Sequence, residues 1–308
     1  MALTRADERS HAPGEERRWE ESWYFDFTNR DATLGGYVRL GLHPNLGVAW
    51  YWACLVGDHR PLVTVLDHDV RLPKAPSLAI RADGLWADHT VEIPYEHMTL
   101  GLEAFAVAVD DPAEVYGRLR GARVPLGFDL EWETDRGAVY PSIGTTGYEV
   151  ACDVHGQILV GDEVIAFEGL GQRDHSWGVH DWWPGGWVWT AGGLDDGTRF
   201  HTTRLRTPGS ECITPGYVMR PGGPVEQIDV CTAEEEVDDQ GFPRSARIRC
   251  GELDMAVEPV ALSPVSLIAD DRDRGTLRLP RALCRFETRD GRRGVGWTEW
   301  NQPPRAHA

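Results

Sequence analysis

Several familiar signatures are missing from this 308-residue chain. It has no GxSxG elbow, no phosphate-binding P-loop, no GxGxxG after a strand pattern and no HExxH. Nucleotide cofactors are therefore not implied. No two of the six cysteines (Cys54, Cys152, Cys212, Cys231, Cys250 and Cys284) stand at CxxC spacing, so neither a zinc knuckle nor a redox dithiol is indicated. They read as reduced, mostly buried thiols, with a Cys212–Cys231 bridge as the minor alternative. Positive charge is scarce as well. Thirty-one Lys and Arg face 49 Asp and Glu, for a net charge of −18. No basic stripe is left for nucleic acid, and anionic membranes are disfavoured. Apolar runs such as AFAVAV are too short to span a bilayer. The polar start, MALTRADERSHAPGEERRWEE, lacks the apolar core of a signal peptide. A soluble, cytoplasmic protein is the expectation.

Helix is nearly absent too. One helical stretch is expected over DDPAEVYGRLRG, with Asp111 as cap, Pro112 in the first turn and Gly121 as terminator. A weak turn is expected around EERRWEE. What is present is strand pattern. VAWYWACLV, PLVTVLDHDV, FDLEWET, GYEVACDVHGQILV, GWVWTAGGL, RFHTTRLR and RGVGWTEW alternate with period two or concentrate β-branched and aromatic residues. Turn signals such as HPNLG, RADG, LDDGT, RPGG and RDG separate them. This predicts an all-β sandwich or barrel. A faint echo repeats at an offset of 154 residues: Glu21-Ser22-Trp23 before Asp26-Phe27, and His175-Ser176-Trp177 before Asp181-Trp182. It suggests two similar β halves, residues 1–160 and 161–308.

One segment concentrates chemistry. GQRDHSWGVHDWWPGGWVWTAGG, Gly171 to Gly193, holds five of the 13 tryptophans beside Arg173, Asp174, His175, His180 and Asp181. Alternation puts Trp187 and Trp189 on one face, and Trp50 and Trp52 on one face of VAWYWAC. Each tryptophan serves either as packing or as part of a wall that stabilises a cation. Asp174 reads in two ways. In a dry aromatic pocket it stays protonated near neutral pH and acts as a general acid. Alternatively it is a structural carboxylate on Arg173 or on turn N–H groups. A regular strand over 173–177 turns Arg173, His175 and Trp177 away from Asp174, unless Gly178 marks a bulge. On the other face His175 takes the acid–base role. His180 with Asp181 fits a hydrogen-bonded turn. In GLWADHTVEIPYEHMTLGLEAF, His89 and His97 are further candidates to face a cavity. No histidine spacing is diagnostic of a metal.

GQRDHSWG, the later WVW and the LDDGT turn resemble the second-domain opening of a two-domain lipocalin-like family. That family includes carotenoid 1,2-hydratases (hydroxyneurosporene synthases), AttH-like proteins and, more distantly, tocopherol cyclases. Asp174, Trp177, Gly178, Trp187 and Trp189 fall on the matching positions. WEESWYFDF, GGYVRLGLHPN, AWYWACLVG, GLWADH and PLGFDLEWE resemble uncharacterised actinobacterial members. The resemblance implies two lipocalin-like β-barrels or half-barrels packed together. It also implies cofactor-independent hydration, isomerisation or cyclisation at a carbon–carbon double bond of an isoprenoid, polyene or steroid-like molecule. Asp174 would be the acid, with His175 or His180 as partner. Trp177, Trp182, Trp187, Trp189, Trp50, Trp52, His89 and His97 would shape the site. The partner is a hydrophobic small molecule, and the oligomeric state is open. The rival class is a non-catalytic carrier of apolar ligands, whose cavity would be apolar and whose Asp174 would be solvated or paired.

Overall fold

The computed structural model describes residues 3–134, 140–141, 146–183, 185–206, 216–228, 230–268 and 275–302. Cys212, and with it the Cys212–Cys231 pairing, lies outside them; Cys54, Cys152, Cys231, Cys250 and Cys284 are buried. The chain is nearly all β. The first set of strands is β1 (Trp19–Thr28), β2 (Leu34–His43), β3 (Val48–Gly57), β4 (Leu62–Arg71), β5 (Ile80–Ala82), β6 (Leu85–Ile93), β7 (His97–Val109), β8 (Ala122–Glu133), β9 (Tyr140–Pro141), β10 (Thr146–Val160) and β11 (Glu163–Val179). The second is β12 (Gly186–Leu194), β13 (Arg199–Arg206), β14 (Gly216–Met219), β15 (Val225–Ile228), β16 (Cys231–Val237), β17 (Pro243–Cys250), β18 (Leu253–Leu262), β19 (Val265–Ile268), β20 (Thr276–Leu279), β21 (Arg281–Thr288) and β22 (Arg293–Asn301).

The first sheet closes on itself. Its order β4-β3-β2-β1-β11-β10-β8-β7 returns to β4 through Leu62↔Val109, Val63↔Ala108 and Thr64↔Val107. A ring of eight strands leaves an interior that side chains can fill. Trp23, Phe25, Phe27, Val38, Leu40, Tyr51, Leu130 and Trp132 fill it. One end is stopped by a 3-10 turn, Arg5–Glu8, whose buried Glu8 meets Arg173 at 3.0 Å. The second sheet, β15-β14-β13-β12-β22-β21-β18-β17-β16, curls around Val188, Phe200, Ile248, Met255, Cys284, Phe286 and Trp300. Its edges approach where the Arg204 guanidinium donates to the Ala233 carbonyl, 2.6 Å away. A third core lies between the sheets, where Tyr24, Tyr37, Trp52, Trp182, Trp189, Leu283 and Trp297 pack. Trp297 Nε1 donates to the Phe27 carbonyl at 3.0 Å across this layer.

Strand β11 hydrogen-bonds in the first sheet as far as Val179, so the chain changes sheets between Val179 and Gly186 rather than near residue 160. The echo has a different origin from repetition. Glu21, Ser22 and Trp23 are the antiparallel partners of Trp177, Ser176 and His175, and the two serine hydroxyls lie 3.2 Å apart. The segments are neighbours in one sheet, not equivalent places in two halves.

The expected helix shrinks to one 3-10 turn, Pro112–Tyr116. The Asp111 carboxylate caps it by accepting from Ala113 N at 3.0 Å, but Gly117 ends it four residues before Gly121. Residues 15–18 turn as expected, yet Trp19 already begins β1. Among the described residues no helix is long and apolar enough to cross a membrane.

Candidate active site

Regular alternation along β11 separates neighbours onto opposite faces. Arg173, His175 and Trp177 enter the first barrel, while Gln172, Asp174 and Ser176 face the second sheet. Gly178 has φ of 126°, yet the register with β1 runs unbroken to Trp19↔Val179. The glycine therefore makes no bulge and does not re-aim the strand. Asp174 and Trp177 cannot line one space.

Register puts Tyr24, Asp174 and Glu149 side by side as Cα partners across β1, β11 and β10. Opposite them, β21, β22 and β12 present Arg281, Glu299 and Trp189 in a second row. The rows touch. Trp189 Nε1 donates to Glu149 Oε1 at 3.3 Å, and the Trp189 and Tyr24 rings meet edge-on with centroids 5.4 Å apart. Arg281 Cζ lies 4.6 Å from the Tyr24 ring centre, and its Nη1 reaches Glu299 at 2.6 Å. Trp187 Nε1 also donates to Glu299, at 2.6 Å.

Asp174 differs from the other carboxylates of this layer. Its side chain makes no hydrogen bond among the described residues and keeps part of its surface accessible between the sheets. Burial pushes its carboxyl up to about 7; Arg39 and Arg281 oppose this, while Glu299 and Glu20 add to it. Arg173, the partner that a structural role would have used, is turned away and paired with Glu8. Glu20 goes the other way. Burial works against its charge, but Arg39, His180, His43 and the Trp182 N–H together hold its carboxyl below the usual range. One layer thus pushes two carboxyls in opposite directions, Asp174 up and Glu20 down. Burial also raises Asp26 to about 7, although it accepts from Gln172 N at 2.8 Å and Tyr24 Oη at 3.2 Å. Glu149 is pushed well up by burial and by Asp174 beside it.

Around these groups stand aromatic faces. Trp182 packs 5.2 Å from Trp187 and 6.0 Å from Trp52, and Trp50 stacks on Trp52 at 6.2 Å. His180 sits 4.8 Å from Trp182 and 5.7 Å from Trp187, and burial lowers its pKa. The Asp181 carboxylate makes the expected turn by accepting from Trp183 N at 3.3 Å. Asp174, His180, Trp50, Trp52, Trp182, Trp187 and Trp189 therefore meet in one layer.

The other sequence candidates do not join them. His175 is fully buried in the first barrel, stacked on Trp23 at 4.3 Å and 3.0 Å from Glu21. Trp177 stacks on His11 at 3.8 Å on the same side. His89 is inside the same barrel, with Nδ1 3.2 Å from the Leu78 carbonyl. His97 is on its outer face, 2.8 Å from Glu131. Sequence reading passed over Glu20, Tyr24 and Asp26 of β1, and over Arg39, Glu149, Arg281 and Glu299. In WEESWYFDFT the polar Glu20, Ser22, Tyr24 and Asp26 alternate with Trp23, Phe25 and Phe27, and that alternation was the available signal.

Among the described residues two groups have ligand atoms close enough for a metal, His11/Glu21/His175 and His97/Glu131/Glu133. Neither contains Asp174. In the first, Glu21 Oε1 lies 2.7 Å from His11 Nδ1 and 3.0 Å from His175 Nε2, contacts that hydrogen bonds explain. Two cavities lie elsewhere. One, of about 550 Å³, opens at the seam beside Val56, Leu62, Arg244 and Ala261; the other, of about 660 Å³, lies on the outer face of the first barrel beside Trp86 and Leu159.

Residues 4–304 match the family described as a domain of unknown function, DUF7064. No curated protein matches the chain. Among solved structures, an AttH protein (NE1406) from Nitrosomonas europaea is similar with a TM-score of 0.62 at 12% identity, covering 94% of both chains. CghA with Sch210972 is similar at 0.62 and 10% identity, covering 94% of this chain and 90% of that one. Kievitone hydratase from Nectria haematococca follows at 0.60 and 10%, covering 91% and 88%. At such identities the likeness establishes the fold, the expected lipocalin-like all-β arrangement.

Proposed function

The chain belongs to the DUF7064 family, and from that premise we propose a cofactor-independent acid–base enzyme that acts on a carbon–carbon double bond of a hydrophobic small molecule. The observation that carries this reading is Asp174: without a hydrogen bond among the described residues, facing the layer that holds Trp182 and Trp189, and raised by burial to about 7. Protonating an alkene needs an acid that still holds its proton at working pH. In the first step the π pair takes the Asp174 proton. A C–H bond forms, and a carbocation and a carboxylate remain. Trp182, Trp187, Trp189 and Tyr24 then offer ring faces to the cation, worth roughly 0.5–2 kcal/mol each. His180, kept neutral by burial, takes the second proton. It comes from a neighbouring carbon in isomerisation and from attacking water in hydration; in cyclisation a second double bond attacks first.

The names of two neighbours, kievitone hydratase and CghA with Sch210972, suit this class of apolar substrate. Isoprenoid, polyene and steroid-like molecules are the first to try. A carrier would leave Asp174 fully solvated or paired; it makes no hydrogen bond among the described residues and is only partly accessible.

The test begins with carotenoid, terpene and steroid panels, read by tryptophan quenching. Asp174→Asn is then compared with wild type on the tightest binder. The expected result is a 10²–10⁴-fold loss of product formation with affinity and melting temperature near wild type. An active Asp174→Asn protein rejects the acid.

A further inference from the structure

The same layer holds an arginine with one donor unpaired, Arg39. It is buried on β2 beside two indoles that meet edge to face, with Cζ 4.7 Å from the Trp52 ring centre and 5.0 Å from that of Trp182. Nη2 is fixed by Glu20 Oε1 at 2.9 Å. Nη1 is buried and makes no hydrogen bond. The chain also makes room for that nitrogen. Two residues on, Gly41 has no side chain, and a Cβ there would lie 2.5 Å from Nη1. A planar cation held beside two indoles, tied at one end and left with a buried donor at the other, has the parts of a recognition element. Leaving a buried donor unmade is costly unless something uses it.

We propose that Arg39 Nη1 seats an oxygen of the substrate, so that the layer beside Asp174 takes an uncharged ketone or enone in preference to a pure hydrocarbon. This rests on the reading of that layer as the active site. Charge decides against an anion. Arg39 is already matched by Glu20 and Arg281 by Glu299, so no surplus cation is left to balance one. A neutral carbonyl needs one donor, and Arg39 Nη1 has no partner. Nη1 is covered, so an entering oxygen has to displace a neighbouring side chain; the half-buried Trp50, on the residue paired with Gly41, is the nearest such candidate in the register. Arg39 is two strands from Asp174 on the same face, through Arg39↔Tyr24 and Tyr24↔Asp174. Substrate oxygen and protonated carbon would therefore be held at separate points, which fixes orientation.

The test uses a matched probe pair, 2-acetylnaphthalene and 2-isopropylnaphthalene, which differ in little but the carbonyl. Affinities are measured by calorimetry on the full chain. The wild type is expected to prefer the ketone by about tenfold or more, as suits a hydrogen bond from a charged donor. Gly41→Ala keeps every charge and displaces Nη1, so the preference should fall to about twofold or less. Glu20→Gln with Arg39→Met removes the pair without stranding a charge and should do the same. Asp174→Asn should retain the preference.

Equal binding of both probes to wild type, no ketone binding, or a preference that survives both Arg39-site variants overturns the assignment. A preference lost only in Asp174→Asn also overturns it, by placing the oxygen on Asp174. The arms separate the two ideas. If Asp174→Asn stays active while the ketone preference follows Arg39, the acid falls and the oxygen seat stands.

Discussion

The two faces of strand β11 carry similar residue types and organise them differently. Toward the first barrel stand Arg173, His175 and Trp177; toward the second sheet stand Gln172, Asp174 and Ser176. Both sides mix aromatics with buried charge. Inside the barrel the charges are matched: Arg173 with Glu8 at 3.0 Å, and His175 and His11 with one carboxylate, Glu21. Between the sheets Glu20 and Glu299 are matched with arginines, but the Asp174 carboxylate makes no hydrogen bond among the described residues. Single buried donors without a partner stand on both faces, Arg39 Nη1 and Arg281 Nε here and Arg173 Nε and His175 Nδ1 in the barrel. Clustering of ionisable groups does not by itself mark a site; a carboxyl with no partner of its own is what one face has and the other lacks.

The largest expected effect breaks the matched side. Arg173→Met strands the Glu8 carboxylate inside the barrel and should lower unfolding free energy by about 3–5 kcal/mol, with much of it restored by adding Glu8→Gln. Asp174→Asn, one residue on, should change stability by less than about 1 kcal/mol at about pH 4 or below, where its carboxyl is protonated in both states and no partner is lost. Chemical denaturation of the three proteins side by side measures this. Equal losses at 173 and 174 would erase the distinction between the faces.

A smaller effect follows from pH. Asp174 and Asp26 are each raised from 3.8 to about 7. The folded chain then holds protons that the unfolded chain releases from about pH 4 upward. Their contribution is full below about pH 4 and is lost as pH rises through about 7. The slope is up to about 1.4 kcal/mol per unit for each group. The urea midpoint should fall from pH 5 to pH 8, and Asp174→Asn should flatten part of that fall. Turnover by the acid should be level below about pH 7 and drop above it. A midpoint that rises over this range means the carboxyls ionise normally.

The smallest effect is a control. His97 pairs with Glu131 on the outer face of the barrel, where a screened ion pair contributes about 0–1 kcal/mol. His97→Gln should alter stability by no more than that and leave ligand affinity unchanged. A loss of apolar binding would return the outer face to consideration.

The sequence made the acid legible but not its surroundings. Asp174, His180 and Trp187/Trp189 stand within one short segment, and period two alone places both tryptophans on one face. Glu149 is 25 residues upstream and Arg281 more than 100 downstream; only the β10–β11 register and the packing of one sheet on the other bring them in. The tryptophan-rich segment also misled. Trp177 is local to Asp174 in sequence, but a regular strand sends it to the opposite face. The barrel was expected from the strand pattern and the resemblance, but not how it closes. Closure depends on three pairings between β4 and β7, residues 62–64 with 107–109, and neither segment carries a local sign of that partnership.

The central claim is that Asp174 holds its proton near neutral pH because it is buried and unmatched. The direct measurement is a carboxyl titration on protein carrying ¹³C-labelled aspartate, followed by NMR, with Asp174→Asn assigning the resonance. The account predicts a midpoint near 7 for Asp174, well separated from the exposed aspartates. A midpoint below about 5 would show a solvated or paired carboxylate and would contradict the acid role.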